Sequence, residues 1–565
     1  MMNTEPPANS DRLEAIGAAM GKGELLLAYD LAQSAVGEAP ERLIYRHRAV
    51  LALARSGATK RALALFDGWH LGEAVSGDAK LDIDLKSLRA RLLKDLALET
   101  APTERQASLV AAADAYHAVF KTTRDAYPGA NAASLYLWAG DTALAESVAR
   151  SVLAGAVGDD YYGLVTRAEA LLVLKDVAAV GKALRAAARK PDATSDKKTV
   201  TRKQLKRSCA HLGLDPALLG PLDTGVVACF STDGDGQDAA TLRQDLREAL
   251  QAHDIRFLYT SLHPGPEIEA AEAMLSRGGD VEVVLPVSPA IFRDAVLGAA
   301  GGDWPRRFDA CLEAARHITA AADGSAVEDE IVRDYTAQYL VGLAMQRAGF
   351  LETELLRLKA GADGVSVSPM APTRDGAGAT VARGDRRVCA ILFGDVVGFS
   401  KLSEQQMPPF VREVMGRIGR LLDGFGEDIL SRNTWGDGLF LVIANASAAA
   451  ECALSLQETL SAVDFTLHDL PAATAMRVGL HLGPLYRLDD PITRRPSYFG
   501  VHNTRAARIE PIAVPGLVYV TEPFAAALAL AGDQRFHCDY IGTTQLAKQY
   551  GALRLFALRR AGPGE

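Results

Sequence analysis

The chain has 565 residues, of which 48% are hydrophobic and 23% are charged, and its formal net charge is -9 at pH 7. Such a composition favours a globular protein of about three or four domains with well-buried cores. The negative charge argues against a binder of nucleic acid or anionic membranes, because such proteins usually carry a basic surface. A ligand with phosphate groups would therefore be held locally, by metal ions or by single cationic side chains.

The sequence gives no signal for a membrane or for secretion. It contains no apolar run of about 18 residues, and its first residues, MMNTEPPANSDRLE, lack the basic start and apolar core of a signal peptide. We therefore expect a cytoplasmic protein. The six cysteines are scattered and form no CxxC pair, which is typical of reduced core thiols and not of disulfides or a metal site.

Residues 11–215 are rich in Ala and Leu and are predicted to form successive helices. Gly23 and Gly57 lie 34 residues apart, as do Ala28 and Ala62, and this spacing is the repeat length of tetratricopeptide arrays. The segment resembles the irregular tetratricopeptide-like domain at the front of some multidomain bacterial signalling proteins. Two interpretations stay open, a helical scaffold without a specific ligand and a surface that docks a protein partner.

Residues 222–362 change to short β-branched or aromatic runs that alternate with helical patterns, beginning with GVVACF, IRFLYTSL and DVEVVLPVS. This alternation predicts a parallel α/β sheet, here a Rossmann-like module. The turn STDGDGQ precedes a helix, whose first N–H groups could bind an anion. Because GxGxxG spacing is absent, Asp233 to Gly236 are better interpreted as a polar turn, and a sensory nucleotide site is only a hypothesis.

Residues 363–385 are small, polar and rich in Gly and Pro, and are predicted to form a flexible linker. Residues 386–562 should then form a separate domain. In it, RRVCAILFGD predicts a buried strand from about Arg387 to Phe393 with Asp395 at its C-terminal end, and Asp437 lies in the turn of a predicted hairpin. The predicted order of elements, βαββαβ, is that of a ferredoxin-like palm.

Asp395 and Asp437 are expected to face one another, because the end of the first strand and the tip of the hairpin lie side by side in this topology. Two adjacent carboxylates repel each other unless a cation lies between them. A pair of hard divalent cations is the common solution where phosphoryl groups react. The pair therefore predicts metal ligands, although either aspartate alone could equally be a turn or strand-end residue.

Four motifs occur in the order FGDVVGFSKLSE, NTWGDGLFLVI, RVGLHLG and FGVHNTRAARIEP. Together they resemble the catalytic domain of class III nucleotidyl cyclases over residues 386–562. The resemblance implies conversion of a nucleoside triphosphate to its 3',5'-cyclic monophosphate and pyrophosphate, with two Mg2+ or Mn2+ ions per site. It also implies a head-to-tail dimer, and since the chain has one such domain, a homodimer.

The resemblance assigns the metals to Asp395, Asp437 and the carbonyl group of Val396. One ion would activate the ribose 3'-hydroxyl group and the other would steady the leaving pyrophosphate. Arg508 matches the arginine that stabilises the pentavalent α-phosphate in the family.

Other positions depart from the family pattern. Thr504 stands at the position of the ribose-positioning asparagine, and Asn503 precedes it, so either Thr504 replaces that side chain or a local shift brings Asn503 into the site. Asn433 stands at the position of the purine-reading lysine, and Ser497 at that of its base-reading partner. Lys548 lies near the position of a phosphate-binding lysine.

The favoured interpretation is a cytoplasmic adenylate cyclase that forms cyclic AMP from ATP, with upstream regions that regulate it or recruit partners. One alternative is a cyclase of the same mechanism that prefers guanine or a pyrimidine. Another is a non-catalytic nucleotide-sensing protein, against which the presence of both aspartates and Arg508 argues.

Overall fold

The computed structural model describes residues 9–21, 24–99, 102–232, 238–322, 327–372, 382–472, 474–545 and 552–562. The chain forms two compact units, one built mainly from residues before Gly225 and the other mainly from residues that follow. Gly23, the turn Asp233 to Gly236, and Lys548 lie outside the described residues.

The first unit is helical. Its helices are α1 (Asn9–Gly21), α2 (Leu25–Glu38), α3 (Leu43–Arg55), α4 (Thr59–Gly68), α5 (Ala79–Glu99), α6 (Pro102–Thr123), α7 (Ala126–Trp138), α8 (Thr142–Ala154), α9 (Tyr161–Val173), α10 (Val177–Ala188) and α11 (Ser195–Leu212). Ala28 in α2 and Ala62 in α4 are fully buried, as expected for small residues at equivalent positions of a helical repeat. Gly57 adopts a φ of 83°, a left-handed conformation that favours glycine, in the turn between α3 and α4.

Local sequence explains where several of these helices begin. Each of the helices α7 to α10 follows an aspartate whose side chain accepts a hydrogen bond from a backbone N–H group in the first turn. These N-caps are Asp125, Asp141, Asp160 and Asp176. Such caps satisfy donors that the helix itself leaves unpaired and typically stabilise the helix by about 1 kcal/mol.

The second unit begins with a six-stranded sheet in the order β4-β3-β2-β1-β5-β6. Its strands are β1 (Val226–Thr232), β2 (Ile255–Thr260), β3 (Asp280–Leu285), β4 (His317–Ala320), β5 (Leu355–Gly361) and β6 (Gly364–Pro369). The helices of this region are α12 (Ala239–Ala252), α13 (Pro266–Ser276), α14 (Pro289–Phe292), α15 (Gly298–Ala300), α16 (Trp304–Ala314) and α17 (Glu330–Leu351). All neighbouring strands are parallel except β5 and β6. The alternation expected over residues 222–362 is present, and its narrower description as a Rossmann-like module stays a prediction.

Part of the expected linker is ordered in the sheet. Strand β6 pairs with β5 along its whole length, from Leu356 opposite Pro369 to Gly361 opposite Gly364. The alternating Val365 and Val367 pack against the core of the α/β sheet. Their partial burial against this core explains why the polar segment forms a strand although its composition is typical of a linker. Residues 373–381 lie outside the described part of the chain.

The C-terminal part of the second unit contains a sheet in the order β15-β13-β11-β8-β10-β9, with β12 beside β11 and β7 beside β8. Its strands are β7 (Ala382–Arg383), β8 (Arg386–Val396), β9 (Ile429–Trp435), β10 (Gly438–Ile443), β11 (Met476–Asp489), β12 (Pro496–Phe499), β13 (Val518–Thr521) and β15 (Ala552–Arg560), and β14 (Phe536–Gln545) precedes β15 along the chain. Its helices are α18 (Met407–Pro409), α19 (Gly416–Asp423), α20 (Ala446–Ser461), α21 (Val501–Ala506) and α22 (Glu522–Ala531). The order β11-β8-β10-β9 and the sequence of elements agree with the expected ferredoxin-like arrangement.

Helix α17 contributes to both sheet regions of the second unit. Its buried face contacts β1 to β3, and it also packs along α22. A Cβ atom at Gly342 would lie 2.3 Å from the carbonyl oxygen of Ala526, so the two helices are closest at this glycine. The Tyr335 hydroxyl group donates to the Leu482 carbonyl group at 3.0 Å, and the Tyr339 hydroxyl group donates to Glu522 at 2.8 Å.

The structure also bears on two expectations from composition. Across its described ranges, none of the helices is both long enough and apolar enough to cross a bilayer. All six cysteines are free thiols, five of them buried and Cys538 partly buried, in agreement with the prediction of reduced cysteines.

Candidate active site

Asp395 lies one residue before the end of β8, a strand that is central in its sheet. The strand is apolar and buried from Val388 to Leu392, so its position is fixed by the core and the strand end projects Asp395 to the edge. The Asp395 side chain is 29% exposed. In the pairing of β8 with β11, Asp395 lies opposite Arg477, and the Arg477 Nη2 atom donates to Asp395 Oδ2 at 2.7 Å.

Asp437 lies in the tight turn between β9 and β10, where Trp435 pairs with Gly438. Gly436 precedes it with a φ of 67°, the left-handed conformation that such a turn requires and glycine adopts readily. The carboxyl groups of Asp437 and Asp395 are in hydrogen-bonding contact. Burial, followed by this contact, raises the pKa of Asp437 to about 6. The expectation that the two aspartates face one another therefore agrees with the geometry.

A second pair of charged residues belongs to this cluster. Arg477 Nε lies 2.9 Å from Glu510 Oε1, at an angle outside hydrogen-bond geometry, so this contact is an ion pair. Burial raises the pKa of the Glu510 carboxyl group, while Arg477 opposes that rise. The cluster thus contains three carboxylates and one guanidinium group, and without further cations it carries excess negative charge.

The donor set fits a hard divalent cation. Two carboxylates in contact supply oxygen ligands, and a cation bound between them would relieve their mutual repulsion. Val396, whose carbonyl group is the third expected ligand, is buried at the end of β8. Among the described residues, no group of three or more His, Cys, Asp or Glu side chains could hold a metal. Mg2+ sites in proteins often use one or two carboxylates together with water and substrate phosphates.

The residues expected to act on the ribose and the α-phosphate lie on and just after α21. Thr504 is part of this helix and partly buried, and Arg508 is partly buried in the turn that follows it. The side chain of Asn503 is used differently, because its Nδ2 atom donates to the Tyr498 carbonyl group of β12 at 2.8 Å. This hydrogen bond connects α21 to β12. Because the Asn503 amide group is used in this way, Thr504 is the better candidate for a polar contact with a ribose.

The residues expected to read the base lie on two strands. Asn433 is exposed on β9, and its Oδ1 atom accepts a hydrogen bond from the Thr434 backbone N–H group at 2.8 Å. Ser497 is partly buried on β12, opposite Leu488 of β11. The two strands are not neighbours in the sheet, since β8, β10 and β11 separate them. Lys548, the expected phosphate ligand, lies outside the described residues.

Comparison with known proteins finds two family models that match separate parts of the chain. The family model described as the adenylate and guanylate cyclase catalytic domain matches residues 382–559, and the model described as Tetratricopeptide Repeats-Sensor matches residues 26–136. Residues 382–559 form an adenylate and guanylate cyclase catalytic domain. The class III resemblance of the four motifs and the tetratricopeptide-like character of the N-terminal segment are thereby confirmed.

Two curated relatives match part of the chain. A protein of Rhizobium meliloti (strain 1021) that carries the name of an adenylate cyclase is 34% identical over 142 residues, which are 24% of this chain and 22% of the relative. Guanylate cyclase 2G of Rattus norvegicus is 30% identical over 164 residues, 27% of this chain and 15% of the relative. The chain therefore spans less than a quarter of either relative.

Solved structures of cyclases also resemble the chain. The adenylyl cyclase CyaB from P. aeruginosa is 12% identical, with a TM-score of 0.28 over 31% of this chain and 94% of that one. An adenylate cyclase structure from Trypanosoma brucei is 21% identical, with a TM-score of 0.28 over 33% of this chain and 95% of that one.

Sequence reasoning missed Arg477 and Glu510 in the cyclase domain. Arg477 lies in the motif RVGLHLG and Glu510 in RAARIEP, so both were within motifs that resemble the family. The missing information was the register of β8 and β11, which places Arg477 opposite Asp395 across 82 positions of sequence. A charged residue in an otherwise apolar strand was the one signal available.

Proposed function

We propose that the chain is a nucleotidyl cyclase that converts ATP to 3',5'-cyclic AMP and pyrophosphate, with two Mg2+ or Mn2+ ions at a site built by two copies of the chain. The observation that carries this proposal is the contact of Asp395 with Asp437 at one edge of a cyclase-type sheet. Cyclase domains of this family generally use divalent metals, and two carboxylates in contact are suited to hold them.

The side chains have separate roles in this proposal. Asp395, Asp437 and the Val396 carbonyl group would hold the ions. When bound, the ions supply the positive charge that activates the ribose 3'-hydroxyl group and stabilises the leaving pyrophosphate. Arg508 would neutralise the charge that develops on the α-phosphate. The hydroxyl group of Thr504 would orient the ribose.

ATP is proposed as the substrate on the chemistry of the base-reading positions. An asparagine side chain both donates and accepts hydrogen bonds, so Asn433 can match the N1 and N6 edge of adenine. Ser497 can donate or accept in the same way. Neither side chain excludes guanine by charge, and the named relatives include both an adenylate and a guanylate cyclase. A guanine-preferring cyclase is therefore the second candidate.

A homodimer is proposed because the cyclase domain exposes apolar side chains near the base-reading strand β12. Ile492, between β11 and β12, is 90% exposed. Further exposed apolar side chains on β11, β12 and α21 are Tyr486, Leu488, Phe499 and Val501. An exposed apolar patch commonly marks an interface, and a second copy of the domain would cover these side chains.

Regulation by the upstream regions is proposed from helix α17. This helix packs against the α/β sheet on one side and against α22 and β11 of the cyclase domain on the other. A shift of the α/β region would therefore move α17 against the cyclase sheet. The helices of residues 26–136, which match the sensor family, would dock a protein partner.

The direct experiment is an assay of the purified full-length chain with Mn2+ and each of the four nucleoside triphosphates, with products separated by mass. We expect cyclic AMP from ATP, and nearly complete loss of turnover in Asp395→Ala and Asp437→Ala, both of which should remain folded. Cyclic GMP as the main product would favour the second candidate. More than about a tenth of wild-type turnover in either variant at saturating Mn2+ would contradict the two-metal site, since both reacting oxygens depend on the ions.

A further inference from the structure

We propose that Arg477 is a positioning residue for the metal site, and that Glu510 anchors it. Arg477 would hold one oxygen of Asp395 so that the other faces Asp437 and the ions. This inference rests on the proposed function for the identity of the metal ligands. It assigns a role to two residues that belong to none of the ligand, base-reading or phosphate-binding positions described above.

The backbone fixes Arg477 relative to Asp395. The two residues are register partners in the β8 and β11 pair, which runs from Met476 opposite Val396 to Tyr486 opposite Arg386. Arg477 donates from Nη2 to Asp395 Oδ2 at 2.7 Å, and the two side chains are each 29% exposed. A guanidinium group that is partly shielded from water holds a carboxylate more firmly than a surface ion pair does.

A separate element contacts the same guanidinium group at Nε. Glu510, whose side chain is 14% exposed, lies 2.9 Å from Arg477 Nε in the segment after α21. This segment lies against β11 at Gly479, where a Cβ atom would be 2.8 Å from the Glu510 backbone nitrogen. The close approach brings Glu510 beside Arg477, two residues earlier on the same strand. Arg477 therefore contacts two carboxylates, and these contacts restrict its rotation.

The consequence concerns the orientation of Asp395. A carboxylate held through one oxygen keeps a fixed direction for its other oxygen, and this is how residues behind a metal ligand usually raise metal affinity. Loss of such a partner typically weakens metal binding by about 10-fold to 100-fold. The competing view is that Arg477 is only a counter-ion, which would repel incoming cations. In that case removal of its charge would strengthen metal binding, so the two views predict opposite signs.

The test measures Mn2+ binding to the full-length chain without nucleotide, by the relaxation enhancement of water protons. We expect Arg477→Met to raise the dissociation constant of Mn2+ by about 10-fold to 100-fold. Arg477→Lys, which keeps the charge but loses the fork geometry, should recover part of the affinity. Glu510→Gln should cause a smaller loss than Arg477→Met. Arg306→Met removes an arginine that pairs with Asp303 on the surface of the α/β region, and should leave Mn2+ binding unchanged.

The outcomes separate this inference from the proposed function. Asp395→Ala removes a ligand and should abolish the same Mn2+ binding. If Asp395→Ala lost binding while Arg477→Met bound Mn2+ as tightly as the wild type, or more tightly, the positioning role would be overturned and the metal site would stand. If Asp395→Ala bound Mn2+ normally, the metal site itself would be wrong. Should Arg477→Met fail to fold, Arg477→Lys and Glu510→Gln still decide, because unchanged binding in both would overturn the proposal.

Discussion

The carboxyl groups of Asp395 and Asp437 illustrate how single side chains carry the proposed chemistry. Each is placed by a short local motif, a strand end for Asp395 and a two-residue hairpin turn for Asp437. Burial together with their contact raises the pKa of Asp437 to about 6. A cation bound between the two carboxylates would stabilise their charged forms. Asn433 and Ser497, the proposed base-reading residues, are both neutral and show no comparable charge interaction. Their role is therefore best tested by mutation.

The proposed base-reading role of Asn433 and Ser497 predicts a change of substrate preference in their variants. Asn433→Lys, alone or together with Ser497→Asp, should alter the ratio of kcat/KM for ATP to that for GTP by about 10-fold or more, since hydrogen-bonding groups matched to one base reject another. The Mn2+ concentration for half-maximal activity should stay constant. Thr466→Lys, on an exposed turn of the same domain, serves as the control. An unaltered ratio would place both residues outside the base pocket.

Helix α17 and helix α22 illustrate how packing between elements joins the α/β region to the cyclase domain. Gly342 permits their closest approach, and Tyr335 reaches β11, where its ring also packs edge-on against His502 of α21. His502 Nδ1 lies 2.8 Å from His481 Nε2, and burial lowers the pKa of both histidines, so the pair is neutral. The contacts of α17 therefore extend to His502, which lies one residue before Asn503 and two residues before Thr504.

A methyl group at Gly342 should disturb this interface. Gly342→Ala places a Cβ atom 2.3 Å from the Ala526 carbonyl oxygen, so the helices must separate, and we expect a loss of stability of about 1 to 3 kcal/mol. Gly349 lies on the same helix, and a Cβ atom added there would have no neighbour within 4 Å. Gly349→Ala should therefore be neutral or slightly stabilising. Calorimetric unfolding of both variants measures the difference, and equal melting temperatures would contradict the packing described.

Glu282 of β3 predicts a pH dependence at the same interface. Burial raises the pKa of its carboxyl group to about 7. Arg554 of β15, Arg316 before β4 and Arg347 of α17 partly offset this rise, and Glu522 of α22 adds to it. Because the folded-state pKa lies above the unfolded-state value, the unfolded chain releases this proton first. The contribution of Glu282 to stability is therefore most favourable at low pH and falls as pH rises through about 7.

The expected loss attributable to Glu282 is on the order of 1 kcal/mol between pH 6 and pH 8. Asp437, with a pKa of about 6, titrates in the same window. Wild type and Glu282→Gln should therefore be compared at each pH by thermal unfolding, so that only their difference is assigned to Glu282. A difference between them that does not change from pH 6 to pH 8 would show that Glu282 keeps an ordinary pKa.

The elements that sequence predicted correctly are those encoded by neighbouring residues. The apolar run before Asp395 and the Gly436-Asp437 turn are local signals, so the strand, the hairpin and the facing aspartates followed from them. Arg477, in contrast, meets Asp395 through strand pairing between distant segments, and no local pattern reveals that register. Strand β6 was mistaken for linker because its burial depends on the neighbouring strand β5. The hydrogen bond of the Asn503 side chain depends in the same way on the position of β12, which supplies the Tyr498 carbonyl group.

The whole molecule combines a helical unit that matches a sensor family with a second unit in which an α/β sheet and a cyclase domain share α17. The cyclase domain carries Asp395, Asp437 and Arg508, and the proposed site takes the two aspartates from one copy and the arginine from the other. Two identical copies then build two equivalent sites. A site shared between two copies is the central feature of the proposed mechanism. It implies that a variant lacking the arginine and a variant lacking an aspartate can restore activity when mixed.

Mixing Arg508→Ala with Asp437→Ala tests that claim most directly. Each variant alone should be nearly inactive, since loss of a charge-neutralising arginine is typically worth about 10^3-fold to 10^5-fold in related phosphoryl transfer. Random exchange makes about half of the dimers mixed, and each mixed dimer has one intact site, so activity should return to about a quarter of wild type. Differently tagged subunits confirm the exchange. If the subunits exchange and the mixture stays as inactive as either variant, Arg508 and Asp437 act within one subunit and the shared site is wrong.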